Sequence, residues 1–392
     1  MTLLDTYNRA PITIVAGEGC ELIDASGRRY LDCIGGLAVS ALGHAHPAIA
    51  EAVAVQARTL THASNLYHHE PAGELARELV TRSGMSGVFF CNSGTEANEA
   101  AIKLARKWAY RRGDTERATI LACTGSFHGR TLGALAATAN PSYREGFAPL
   151  PAGFEFTPFN DTLTLRSAMH ERVAALIVEP VQGESGVHVA TVEFLRESRR
   201  LCDERGALLI FDEIQCGMGR TGSLFAFERF GLRPDLVTIA KGLANGLPIG
   251  VLLADERASS GFQPGDHGST FGGSPIPCAA ALAHLRARDA LDLDARVRAR
   301  SRQLFVALEE LASKNPEVLG SPRGIGLLVG VPVREPYEAA AIVAEARARA
   351  LLIGSAGGNT LRFAPPLIIS KAEVSRAVSL LESAVQRSRV SV

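Results

Sequence analysis

Leu209-Ile210-Phe211-Asp212-Glu213-Ile214-Gln215 decides the fold, read together with Val237-Thr238-Ile239-Ala240-Lys241-Gly242. Each is a short apolar run that ends on a charged side chain, and Lys241 stands 29 positions beyond Asp212 (241 − 212). Runs this apolar, set between helical stretches, belong to a sheet covered on both faces. Similar runs occupy Gly87–Cys91, Thr119–Cys123, Val173–Val181, Ala207–Ile214 and Leu236–Ala240. The region from about residue 70 to 275 therefore predicts an α/β domain with a mainly parallel sheet. Upstream, Gly17 to Asp32 reads as short strands with turns at Gly17-Glu18-Gly19 and Ser26-Gly27. After about residue 280 the chain is helix-rich, with strand candidates at Gly326–Val331 and Leu361–Ala364. Ser370 and Glu373 form a capping box at the start of its last helix. The predicted division is an N-terminal segment of a small domain (1–55), a large domain (56–279) and a C-terminal small domain (280–392).

Bulk properties narrow the partners. The 392 residues carry 41 basic and 41 acidic side chains, so no global field favours nucleic acid, and a small-molecule partner is expected. No apolar run reaches the roughly 18 residues of a membrane span. The opening Met1-Thr2-Leu3-Leu4-Asp5 lacks a basic segment followed by an apolar one, and does not read as a signal peptide. Seven cysteines, scattered without C-x-x-C pairs, read as reduced thiols of a cytosolic protein. His44, His46, His68 and His69 fit no zinc spacing, so no metal site is expected.

Four places carry chemistry. In Ser93-Gly94-Thr95-Glu96 a strand gives way to a helix whose apolar face is Ala97, Ala101, Leu104 and Trp108. Ser93 and Glu96 make a capping box, Glu99, Lys103 and Lys107 give exposed i,i+4 pairs, and the free N–H groups favour a phosphate. The same residues also suit a capped helix without a ligand. Phe127-His128-Gly129-Arg130-Thr131 follows another strand: an aromatic there can lie on a planar ring, and Arg130 can fork onto a carboxylate. A polar loop around one core aromatic reads equally well. Asp212 sits at a strand's buried end and needs a partner, either a pyridinium N–H or a structural cation. Lys241 directly follows an apolar strand, where burial favours the neutral amine that forms imines with aldehydes; otherwise the chain snorkels outward. Gly217-Met218-Gly219-Arg220-Thr221-Gly222 matches the dinucleotide fingerprint in letters only, since Asp212–Gln215 intervenes after the strand, no clear helix opens there and no acidic residue caps a following strand about 20 positions on. It reads as a loop near the site, with a nicotinamide-dependent dehydrogenase as the rival class.

In this order, the four constellations resemble the fold-type I enzymes that use pyridoxal 5'-phosphate (PLP), and specifically the class III aminotransferases. The resemblance runs from Tyr30-Leu31-Asp32 and Gly43-His44-Ala45-His46-Pro47 to Leu361-Arg362-Phe363-Ala364-Pro365-Pro366, and includes Glu179-Pro180-Val181-Gln182-Gly183-Glu184 and His267-Gly268-Ser269-Thr270-Phe271-Gly272-Gly273. It implies that Lys241 carries the cofactor and shuttles a proton, and that Asp212 faces the ring nitrogen. Gln215 would neighbour the ring hydroxyl, with Phe127 and Ile214 on the ring faces and His128 beside them. Ser93, Gly94 and Thr95 would hold the phosphate, and Thr270 would reach it from the neighbouring subunit of a homodimer with shared sites. Arg130, Arg362, Glu184 and Ser269 would bind substrate, with Glu184 releasing Arg362 when a dicarboxylate enters. The implied reaction moves the terminal amine of N2-acetylornithine to 2-oxoglutarate, a cytoplasmic step of arginine biosynthesis. Succinylornithine, N-succinyl-diaminopimelate, ornithine and 4-aminobutyrate are alternative donors, and a PLP fold without turnover is the non-enzymatic one. Leu37 replaces the tyrosine of ornithine aminotransferases, which favours an acylated donor, and Ser185 replaces a customary glycine beside the Glu184 gate.

Overall fold

The computed structural model describes residues 2–390; Met1, at the start of the opening read for targeting, and Ser391 and Val392, at the end of the third predicted segment, lie outside it. A seven-stranded sheet organises the chain. Across the sheet run Phe154–Thr157, Thr119–Cys123, Val173–Val178, Leu208–Asp212, Leu236–Ile239, Gly250–Ala254 and Gly87–Cys91. Every pairing is parallel except those of Gly250–Ala254, which runs antiparallel to both neighbours. The central strands are buried along their whole length, as their unbroken apolar sequences require.

Three predicted strands are shorter than their apolar runs, and Leu236–Ala240 loses only Ala240. Val173–Val181 stops at Val178, and Val181–Gln182 then pairs with His188–Val189 in a separate two-stranded sheet. The intervening Glu179-Pro180 breaks the ladder because proline has no N–H. Ala207–Ile214 narrows to Leu208–Asp212, because Ile214 N–H turns back onto the Asp212 carboxylate. Gly326–Val331 is in fact a hairpin of Arg323–Ile325 and Leu328–Pro332, since Gly326 adopts φ 63° and packs against the Arg220 carbonyl. Gly250–Ala254 and Phe154–Thr157 were not anticipated. The first follows Gly246 and Pro248, residue types that favour turns, and the second is an edge strand with Glu155 exposed.

Helix Gly94–Arg111 crosses the sheet face with Ala97, Ala101, Leu104 and Trp108 buried. Its Glu99, Lys103 and Lys107 do not pair with one another. Glu99 accepts from Thr131 and Ala134, Lys103 reaches His267, and Lys107 reaches Asp266. The capping box at Ser93 is also altered: Glu96 N–H donates to Ser93 Oγ, but the Glu96 carboxylate takes the N–H of Asn92. Ser370 and Glu373 cap each other reciprocally, as predicted.

The chain ends meet in smaller sheets. Arg29–Asp32 pairs in parallel with Leu351–Leu352, joining the N-terminal strands to the C-terminal region. A second sheet holds Leu328–Pro332, Thr360–Phe363 and Gly354–Ala356. The predicted boundaries after residues 55 and 279 fall inside helices Pro47–Thr59 and Pro275–Ala290, which pack against each other. All seven cysteines are free and buried. No helix among the described residues is long and apolar enough to cross a membrane.

Candidate active site

The parallel strands deliver their carboxyl ends to one cavity of about 420 Å³. Into it come Ser93, Gly94 and Thr95 after Gly87–Cys91, Phe127, His128 and Arg130 after Thr119–Cys123, Asp212, Ile214 and Gln215 at the end of Leu208–Asp212, and Lys241 after Leu236–Ile239. Side chains up to 148 positions apart (241 − 93) thus share one space because strand ends converge there.

Lys241 follows Ala240 directly out of its strand and takes φ 42° in a 3₁₀ turn. A lysine in this left-handed region stores about 1–3 kcal/mol, strain of the kind found at functional positions. Burial holds its amine below the ordinary lysine value; Arg362 works in the same direction, while Glu184, Asp212 and Glu179 oppose it.

Asp212 is the most constrained group in the cavity. Its Oδ2 accepts from Asn98 Nδ2 at 2.7 Å and from His128 Nδ1 at 2.8 Å, and its Oδ1 from Ile214 N–H at 3.0 Å. Asn98 also donates to the His128 carbonyl at 2.7 Å and accepts from Thr238 Oγ1 at 2.8 Å. Asn98 and Thr238 are fully buried. Glu179, also at the cavity wall, accepts the N–H of Phe127 at 2.9 Å. Burial, reinforced by the nearby Asp212, raises its carboxyl well above the usual range.

The helix start is shaped for close approach. A Cβ on Gly94 would lie 2.8 Å from Ile214, and one on Gly129 would lie 2.2 Å from Thr95 Oγ1. Gly94 and Thr95 N–H groups have no acceptor among the described residues, while Ser93 Oγ is engaged with Glu96. Arg130 is exposed, its guanidinium 3.9 Å over the Tyr143 ring, without an acidic partner among the described residues.

Arg362 stands behind the wall. It is buried, and its Nη1 donates to Glu184 Oε1 at 2.5 Å and to the Gly183 carbonyl at 3.2 Å. Gln215 Nε2 donates to the same Glu184 oxygen at 3.1 Å. Burial alone would raise the Glu184 carboxyl, but Arg362 outweighs it and holds the group below its ordinary range. Ser269 and Thr270 lie outside the cavity: Ser269 Oγ accepts from Asn92 and Gly272, and Thr270 is exposed. The loop Gly217–Gly222 is not at the cavity either. Arg220 is buried there and its Nη1 holds the carbonyls of Leu327 and Pro365, so these glycines serve the packing of the C-terminal region.

Several buried polar atoms aimed at or near this space lack partners, namely His128 Nε2, Gln215 Oε1 and Arg362 Nε. Free N–H groups at a helix start, a buried lysine amine and an anchored carboxylate form a set that fits a phosphorylated pyridine aldehyde. The fold and the cavity define an amino-group transferase, and the chain belongs to the class-III aminotransferase family, which it matches over residues 5–385. It is 47% identical over 390 residues to an acetylornithine aminotransferase of Gloeobacter violaceus, covering 100% of this chain and 97% of that one. The N-acetylornithine aminotransferase of Stenotrophomonas maltophilia shares its fold at TM-score 0.87 and 36% identity, covering 98% of each chain. The ornithine aminotransferase of Toxoplasma gondii, crystallised with partial occupancy of PLP at its active site, superposes at TM-score 0.95 with 31% identity, over 99% of this chain and 93% of that one.

Sequence reasoning gave no role to Asn98, Thr238, Glu179 or Tyr143. The pairing of a buried polar residue inside an apolar strand (Thr238) with another inside an apolar helix face (Asn98) was the available signal.

Proposed function

We propose that the chain transfers the terminal amine of N2-acetylornithine to 2-oxoglutarate, giving N-acetylglutamate 5-semialdehyde and glutamate, with PLP as cofactor. The observation that carries this reading is the unequal state of two arginines. Arg130 has no acidic partner among the described residues, whereas Arg362 is locked to Glu184. One available cation suits a donor with a single carboxylate remote from its reacting amine. The second becomes available only if Glu184 lets go, which a dicarboxylate entering the cavity can induce by offering Arg362 a replacement anion. Leu37, apolar where ornithine aminotransferases carry tyrosine, favours the acylated donor over free ornithine.

When bound, the cofactor supplies an aldehyde for the amine and a ring that withdraws electrons from the bond to be broken. Lys241 would hold it covalently and, once displaced by substrate, take and return the proton at the substrate carbon. Asp212, fixed by Asn98 and His128, would keep the ring nitrogen protonated. Gly94 and Thr95 would bind the phosphate with their free N–H groups. Phe127 and Ile214 would confine the ring, Phe127 being held by Glu179. His128 would act through Asp212.

The assembly is proposed to be a cytoplasmic homodimer. Thr270 is exposed outside its own cavity, beside an exposed Phe271 whose ring packs 5.5 Å from His62. Exposed Leu66 and Tyr67 follow Asn65, which donates to the Ser269 and Gly272 carbonyls, so one apolar surface adjoins Thr270. A panel of donors with 2-oxoglutarate, read by glutamate formation, tests the activity. N2-acetylornithine should turn over fastest; no turnover with it removes the assignment.

A further inference from the structure

We propose that Ser185 restrains the Glu184 latch in its closed position and so sets how readily this enzyme admits dicarboxylates, an inference that rests on the transamination proposed above. The Ser185 hydroxyl forms a tether. Ser185 Oγ donates to Gln182 Oε1 at 3.1 Å, and Gln182 Nε2 donates to the Thr124 carbonyl at 3.0 Å. Thr124 begins the turn that leads to Phe127 and Arg130. A Cβ on the intervening Gly125 would lie 2.8 Å from Gln182 Oε1 and 3.3 Å from Ser185 Cβ, so the two segments are in direct contact.

The opposite wall holds the loop as firmly. Gly357 N–H donates to the Glu184 carbonyl at 2.7 Å, and a Cβ on Gly357 would come within 3.0 Å of Ser185 Cα. Arg323 donates to the Gly186 carbonyl at 2.8 Å and to Thr360 Oγ1 at 3.2 Å, on the strand that carries Arg362. The main chain around Glu184 is thus tied to both walls while its carboxylate sits between Arg362 and Gln215. Opening the latch requires the Glu184 side chain to leave Arg362, and any accompanying shift of the loop must break the Ser185 tether. Ser185 has no left-handed φ to preserve, so alanine removes the hydroxyl alone, whereas glycine also frees the backbone.

The experiment uses the holoenzyme with glutarate, an unreactive dicarboxylate, and compares wild type, Ser185→Ala and Ser185→Gly. Calorimetry gives the glutarate Kd, and rapid absorbance changes give the rate of each half-reaction. Loss of one net hydrogen bond should tighten glutarate binding roughly threefold in Ser185→Ala and raise the rate of the 2-oxoglutarate half-reaction relative to the ω-amine half by the same factor. Ser185→Gly should shift both by more, roughly tenfold. Unchanged or weaker glutarate binding in both variants overturns the inference. Failure of wild type to turn over any amine donor would instead remove the proposed function, while the glutarate measurement still decides the role of Ser185.

Discussion

Asp212 and Glu184 are two carboxylates at the wall of one cavity, yet their surroundings differ in kind. Asp212 accepts three hydrogen bonds from groups that are themselves held, Asn98 by Thr238 and the His128 main chain by Thr138. Glu184 is half-buried, and among the described residues only one of its oxygens is engaged, by Arg362 and Gln215. A buried carboxylate with both oxygens engaged is held rigidly; a carboxylate with one oxygen committed and its partner arginine short of acceptors can change partners. The pair therefore illustrates how one site combines a fixed electrostatic anchor with an exchangeable one. The anchor serves the chemistry common to both substrates, and the exchangeable group serves the difference between them.

The largest effect should come from breaking the fixed anchor. Asp212→Asn keeps the shape but removes the charge opposite the ring nitrogen, and should lower kcat by roughly a hundredfold or more, a loss of the size found when one group that stabilises transition-state charge is removed. Single-turnover rates with N2-acetylornithine and with glutamate should fall together. Next comes Asn98→Ala, which leaves the His128 carbonyl and Thr238 hydroxyl unpaired in the interior. It should cost about 1–3 kcal/mol of stability, measured by denaturant unfolding, and should shift the cofactor's absorption band by loosening Asp212. A destabilised protein with an unshifted band would make Asn98 merely structural. Glu184→Ala should be smaller and asymmetric, slowing the ω-amine half-reaction roughly tenfold more than the glutamate half, because Arg362 is then permanently unpaired. Equal losses would contradict an exchangeable role.

The smallest effect is on pH dependence. The Glu184 carboxyl titrates below its ordinary value of 4.5 in the folded protein because Arg362 outweighs the effect of burial. Its contribution to stability is therefore complete above 4.5 and is lost as pH falls through the lower folded value. The stability difference between wild type and Glu184→Gln should be constant near neutrality and shrink on acidification, as followed by urea unfolding at a series of pH values.

The exchangeable and fixed groups were not equally legible in the sequence. Strand-end charges such as Asp212 and Lys241 stand out because a charged residue ending an apolar run has few structural explanations. Arg130 and Glu184 became readable through long motifs. Asn98 and Thr238 were hidden because what makes them matter is contact across 140 positions, which no local period records. The antiparallel Gly250–Ala254 strand was obscured by the turn residues before it, and the glycines of Gly217–Gly222 signalled tight packing around Arg220 instead of a phosphate loop. The placement of Ser269 and Thr270 away from their own cavity likewise follows from tertiary geometry alone.

Both anchors matter only if an amine at position 241 is what they surround. Borohydride reduction of the purified protein followed by peptide mass spectrometry tests this most directly. A pyridoxyl adduct on the peptide containing Lys241 is the predicted outcome; an unmodified Lys241 peptide from protein that carries the cofactor elsewhere would contradict the account.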